Sequence, residues 1–167
     1  MNRSLPAQVR RAQPSDTAAI ARFNIAMALE TESKTLDPDV VAAGVAALFD
    51  NPALGFYVVA EVESQVVASL MITTEWSDWR NGLFWWVQSV YVEPAFRRQG
   101  LYRRMYEAVK AMAQEAQDTN VCGFRLYVER ENHRAQTTYR ALGMAETPYR
   151  LFEEPHPNPN AMTREFG

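Results

Sequence analysis

The spacing of apolar residues changes at Gly55, and that change limits the fold more than any other feature of the chain. Before it, Ile20, Phe23, Ile25 and Met27 run through one predicted helix, and Val40, Val41, Val45, Leu48 and Phe49 recur at helical spacing in a second. After it, Phe56–Val62 and Val66–Trp76 are runs of β-branched and aromatic residues around Glu63-Ser64-Gln65, which predicts an antiparallel hairpin. A third strand is predicted over Leu83–Val92, stopped by Glu93-Pro94. Helical spacing then returns with Leu101, Met105, Val109 and Met112, in a helix reaching about Gln117.

Punctuation residues set the remaining boundaries. Pro14-Ser15-Asp16 opens the first helix, which fades near Glu32, and Asp37-Pro38 opens the second, which Asn51-Pro52 ends. Gln8–Ala12 reads as a short first strand, Gly123–Val128 as another strand, and Arg134–Leu142 as a helix stopped by Gly143. Tyr149–Phe152 reads as a last strand. The expected order is β-α-α-β-β-β-α-β-α-β, an α+β layered domain with a mixed central sheet between helices. At 167 residues the chain is expected to be one domain, 1–167, with a loose lead-in over 1–7, a core over about 8–153 and an irregular tail over 154–167.

Charge and cysteine usage narrow the function. A net charge of −3 lacks the basic surplus of a nucleic-acid binder. The lone Cys122 allows no internal disulfide and no cysteine-built zinc cluster. No apolar run approaches the roughly 20 residues that span a bilayer, and the first residues have no apolar signal core, so a soluble cytoplasmic protein is expected.

Two stretches carry chemistry. In Val90–Arg104 a strand ends, a basic turn with one glycine follows and a helix begins. Unpaired N–H groups and the positive dipole end at a helix start bind phosphate readily, although a solvated basic helix start has the same sequence. No Gly-Lys-Ser/Thr follows and only one glycine is present, so neither a nucleoside-triphosphate loop nor a dinucleotide fingerprint is indicated. In Asn132–Met144, Asn132, Ala135, Tyr139 and Leu142 share one helix face, suited to a ligand wall or to a buried tyrosine with a satisfied hydroxyl.

Together these stretches resemble the GCN5-related N-acetyltransferase (GNAT) family. The first is similar to its pyrophosphate motif, Arg/Gln-x-x-Gly-x-Gly/Ala, with Arg97, Gly100 and, where the family has Gly or Ala, Tyr102. The second is similar to its Asn-x-x-Ala-x-x-x-Tyr-x-x-Leu-Gly-Phe motif, with Met144 in place of Phe. The resemblance implies acetyl-CoA as co-substrate; the one cysteine and two histidines are spread too far along the chain to suggest a metal site. It implies that Leu83–Val92 splays from the next strand and that Val90 and Val92 offer backbone groups to the pantetheine arm. Arg97, Arg98, Gln99, Gly100, Leu101, Tyr102 and Arg103 would form the pyrophosphate turn. Asn132 and Ala135 would touch the cofactor, and Tyr139 would touch it and protonate the leaving thiolate. The expected acceptor is a small-molecule amine or a peptide amino group, with no nucleic-acid or membrane partner and with a homodimer allowed for.

Amide formation also needs a neutral amine, from a group whose ordinary pKa is about 10.4. Alternation places Trp86, Gln88, Val90 and Val92 on one strand face, with no carboxylate among them. The candidate bases are Glu30 and Glu32 between the first two helices, Glu75 before the loop, and Glu129. Glu32 is the first choice, since in the family that segment borders the acceptor. Glu30, Glu32, Trp76, Trp86 and Gln88 form the expected acceptor pocket, whose acids and aromatic rings, with Asp78 nearby, suit a cationic amine. Cys122 is read as a structural thiol and His133 as a helix-start surface residue, and His156 lies in the irregular tail. A non-catalytic acyl-CoA-binding module and an unrelated phosphate binder are the competing readings.

Overall fold

A computed structural model describes residues 6–116, 118–154 and 156. The lead-in over 1–5, Gln117 and the tail at 155 and 157–167 lie outside the described residues. Contacts gather the chain into two compact units, Met1–Tyr127 and Val128–Gly167.

The first unit is a five-stranded sheet in the order β1-β2-β3-β4-β5. The strands are β1 (Ala7–Arg11), β2 (Gly55–Val62), β3 (Gln65–Ser77), β4 (Gly82–Val92) and β5 (Val121–Arg125). The first four pair antiparallel and β5 pairs parallel to β4. Glu63 and Ser64, both at positive φ, make the tight β2–β3 turn, a backbone that matches strand twist. Helices α1 (Thr17–Glu32) and α2 (Pro38–Asp50) precede the hairpin, and α3 (Leu101–Glu115) joins β4 to β5. A 3-10 turn at Pro14–Asp16 leads into α1. The Asp37 carboxylate caps α2 by accepting from the N–H groups of Asp39 and Val40, with Pro38 at the first helical position.

Each sheet face has its own helical layer. Ile20 and Ala21 of α1 and Val45 and Leu48 of α2 pack on Tyr57, Val59 and Met71. On the other face, α3 buries Leu101, Met105, Tyr106 and Val109, and Tyr106 meets Phe124 edge to face, as Phe124 meets Trp85. β5 begins two residues before the expected strand and ends three before it, because it follows the β4 ladder from Val121 to Arg125.

In the second unit, α4 (His133–Ala141) ends at Gly143, whose φ of +90° suits glycine. The strand expected over Tyr149–Phe152 does not form. Pro148 precedes it, no strand among the described residues pairs with it, and Tyr149, Leu151 and Phe152 are exposed. Among the described residues no helix is long and apolar enough to cross a membrane.

Candidate active site

The site begins where β4 loses a neighbour. Pairing with β5 stops at Trp86–Arg125, while pairing with β3 continues to Val92. From Val87 to Val92 one edge of β4 is uncovered by any strand among the described residues. The Glu93 N–H donates to Val67 O on the β3 side at 2.9 Å. Successive peptide groups point to opposite sides of a strand, so the N–H groups of Val90 and Val92 face the open edge.

A bulge changes which side chains share a face. Met71 pairs with Gln88 and Ser69 with Tyr91, leaving an extra residue on β4, and Ser89 takes φ +50°. One inserted residue flips everything beyond it. Tyr91, not Val90 or Val92, therefore joins Trp86 and Gln88 on the α1 side, where its ring stacks on Phe23. Alternation alone carries no signal of a bulge, so the expected face of Trp86, Gln88, Val90 and Val92 is corrected here.

Beyond Val92 the chain makes a 3-10 turn at Pro94–Phe96 and reaches Arg98 at φ +62° and Gly100 at φ +76°. Left-handed backbone costs a non-glycine residue about 1–2 kcal/mol, so Arg98 needs its surroundings to hold it. A Cβ on Gly100 would meet nothing within 4 Å: the glycine serves the backbone angle and leaves open space before the helix. Gly100 caps α3 without a side-chain bond, and the first intrahelical bond is Arg104 N–H to Gly100 O. The N–H groups of Leu101 and Arg103 therefore lie in the first turn, ahead of that bond. Arg98 and Arg103 are exposed, and their side chains have no hydrogen bond or ion pair among the described residues. Gln99 donates to Ala95 O. The Tyr102 ring stacks on Tyr106, one turn further along α3.

Arg97 points elsewhere. Its Nε donates to Val92 O at 2.8 Å and its Nη2 to Glu30 Oε2 at 2.7 Å, and its guanidinium lies over the Tyr91 ring. Tyr91 donates its hydroxyl to Glu30 Oε1 at 2.9 Å. The Arg97 hydrogen bond, helped by that of Tyr91, holds the Glu30 carboxyl below the usual carboxylate range, while burial pushes the Tyr91 phenol up. Glu30 and Glu32 belong to the last turn of α1, not to the segment between the helices. Glu32 is exposed and pairs with Lys34 at 2.8 Å.

The aromatic residues divide between faces. Trp86 Nε1 donates to Glu75 Oε2 at 2.7 Å, and Arg125 reaches Glu75 Oε1 at 2.6 Å. Tyr127 tilts against Trp86, and Gln88 donates to Thr73. Trp76, opposite Leu83, stands on the other face with Trp85, and Trp79 is exposed at the hairpin tip, so the expected pocket of Trp76 with Trp86 is corrected here. Asp78 caps its own turn through the Trp79 N–H. Arg125 is the residue for which sequence reading had no signal, because its meeting with Glu75 depends on the ladder register.

In the second unit, Asn132 caps α4 by accepting from the Ala135 N–H at 3.1 Å, which leaves its amide donors for a ligand. Burial raises the Tyr139 pKa above the ordinary phenol value. Glu129 accepts from the Glu131 N–H, and His133 is an exposed helix-start residue. Cys122 is half-buried on β5. Among the described residues no group of histidine, cysteine and carboxylate side chains could hold a metal ion.

The profile of the Acetyltransferase (GNAT) family matches residues 22–144. The crystal structure of a possible acetyltransferase from Clostridium difficile 630 is 43% identical with a TM-score of 0.83, over 91% of this chain and 99% of that one. A predicted acetyltransferase from Clostridium acetobutylicum, solved with acetyl-CoA, is 17% identical with a TM-score of 0.71, over 89% and 96%. Ribosomal-protein-alanine N-acetyltransferase from Brucella melitensis biovar Abortus 2308 is 12% identical with a TM-score of 0.72, over 90% and 99%. These last two likenesses concern the fold. No curated protein matches the chain.

Proposed function

The chain belongs to the GNAT acetyltransferase family, and on that premise we propose that it transfers an acetyl group from acetyl-CoA directly to a primary amine of a small molecule or a peptide. The observation that carries this reading is the run from the open β4 edge into an uncommitted anion site. N–H groups at Val90 and Val92 lead along one strand to the helix start at Gly100, flanked by the free arginines Arg98 and Arg103. Such a run matches a ligand with an amide-bearing arm and a pyrophosphate.

In this reading the arm of acetyl-CoA lies along β4, and a strand N–H polarises the thioester carbonyl as it gains charge. The pyrophosphate meets the first-turn N–H groups of α3 and the side chains of Arg98 and Arg103. The amine attacks the carbonyl carbon, the C–S bond breaks, and the Tyr139 phenol gives its proton to the departing thiolate. A raised pKa keeps that phenol protonated at neutral pH. Glu32 takes the proton of the incoming amine. Glu30 and Glu75 are engaged by arginines, whereas the Glu32–Lys34 pair is exposed and readily broken. The acceptor lies on the Trp86 and Gln88 face of β4. One observation favours the non-catalytic alternative: that face carries no carboxylate of β4 itself.

Thiol release from acetyl-CoA with a panel of primary amines tests the reading, after a thermal scan with acetyl-CoA. At 100 times its Kd the ligand adds about 2.7 kcal/mol to stability. A raised Tm with no thiol release from any amine favours the non-catalytic module, and an unmoved Tm at millimolar acetyl-CoA ends the cofactor reading. With an acceptor in hand, Tyr139→Phe should keep acetyl-CoA binding and lower kcat and kcat/KM together by about 10²–10⁴-fold. Wild-type single-turnover rates in that variant would remove Tyr139 from the chemistry.

A further inference from the structure

We propose that Glu30 is a positioning residue for acetyl-CoA, acting through Arg97 on the phosphate-binding turn rather than touching the acceptor; this rests on the cofactor reading above. The chain from Val92 to Arg97 is closed into a ring by the Arg97 Nε bond to Val92 O. That carbonyl is on the open side of β4, the side the cofactor arm would follow. The outer nitrogen of the same guanidinium is held by Glu30 from the last turn of α1, and Tyr91 completes the clasp, donating to Glu30 from below while its ring supports Arg97. The next residue, Arg98, is in the left-handed region, and Gly100 follows there too. A non-glycine residue stays in that region only where neighbouring structure holds it. Arg97 is the anchor immediately before it, and Glu30 is the anchor's far end.

A guanidinium that keeps a strand carbonyl, a carboxylate and a ring in one geometry is not replaceable by a lysine. The arginine of the pyrophosphate motif is therefore a brace for the turn, and the phosphates are left to the first-turn N–H groups, Arg98 and Arg103.

The test is acetyl-CoA affinity by calorimetry, with KM for acetyl-CoA, in wild type, Glu30→Gln, Arg97→Lys and the double variant, each checked for folding by circular dichroism. The two roles for Arg97 give opposite signs. If Arg97 braces the turn, Glu30→Gln weakens acetyl-CoA binding by about 3–10-fold, Arg97→Lys weakens it further, and the double variant is no worse than Arg97→Lys. The loss sits in KM for acetyl-CoA more than in kcat, and turnover of S-acetyl-N-acetylcysteamine, a thioester without pyrophosphate, does not fall with it. If Arg97 binds phosphate directly, Glu30→Gln removes a competing carboxylate beside an anion and binding tightens. Unchanged or tighter binding in a folded Glu30→Gln variant overturns the proposal, as do additive losses in the double variant. Wild type that fails to bind acetyl-CoA overturns the cofactor reading itself and the proposal with it, whereas binding by wild type isolates any failure to the clasp.

Discussion

The lower part of β4, Gly82–Trp86, has a strand on each side; the upper part, Val87–Val92, has β3 alone. The lower part is packed without slack. Trp85 is buried between Phe56 and Phe124, Phe84 lies beneath Arg125, and a Cβ on Gly123 would sit 2.7 Å from the Phe84 ring. The upper part buries Val87 and Tyr91 but leaves Gln88, Ser89, Val90 and Val92 half-buried, is bulged at Ser89 and is braced from outside by Glu30 and Arg97. One strand thus serves two purposes. Where both edges are paired, residue choice answers to packing; where one edge is open, the function proposed above has it answer to a ligand. Substitutions in the two parts should fail in different ways.

The largest effect is expected from Trp85→Ala. Removing a buried indole costs about 3–5 kcal/mol, read as a lower denaturation midpoint, while the folded fraction keeps its KM for acetyl-CoA. A change in KM larger than the change in stability would erase the distinction between the two parts. Next is Gly100→Glu, beyond the open part. The left-handed backbone costs about 1–2 kcal/mol, so the protein folds, but a carboxylate in the phosphate position abolishes the acetyl-CoA thermal shift. Retained binding would put the phosphates elsewhere. Gly123→Ala should cost about 1–3 kcal/mol through overpacking against Phe84, with acetyl-CoA affinity unmoved. Tm and calorimetry on one preparation read both numbers.

Acid pH sharpens the contrast by the smallest amount. The Asp16 carboxyl is held below its ordinary range chiefly by a hydrogen bond from Arg10, which also pairs with Glu61, and it is nearly buried. Glu30 is lowered by Arg97 but is 40% exposed. A lowered folded pKa gives stability that is present above the unfolded value, about 4, and lost as pH falls through the folded one. Tm should therefore drop below about pH 4. Asp16→Asn should flatten that limb more than Glu30→Gln, whose pair is better screened. Equal flattening would mean that the clasp at the open part is as strong as the buried network.

The helices and strands were legible because their signals are local. The Asp37-Pro38 cap, the Gly143 stop and the Leu101, Met105, Val109 stripe each lie within a few turns of chain. The strand expected at Tyr149–Phe152 shows the limit: its residues have strand propensity, but a strand exists only with a partner. The same limit separated Trp76 from Trp86, since the β3–β4 register decides their faces.

By itself the sequence determined the elements other than the last expected strand, their order and the glycine-centred helix start, because caps, turns and periodicity are settled between near neighbours. It also determined the family, through two motifs with fixed spacing. The tertiary structure alone decided where β5 leaves β4, where the bulge resets the faces, and what Arg97 holds. Glu30 and Arg97 are 67 positions apart, and a guanidinium fork donates to a carboxylate or a phosphate with the same geometry. Sequence supplies the donors; only the folded chain brings one acceptor within 2.7 Å and so chooses between them.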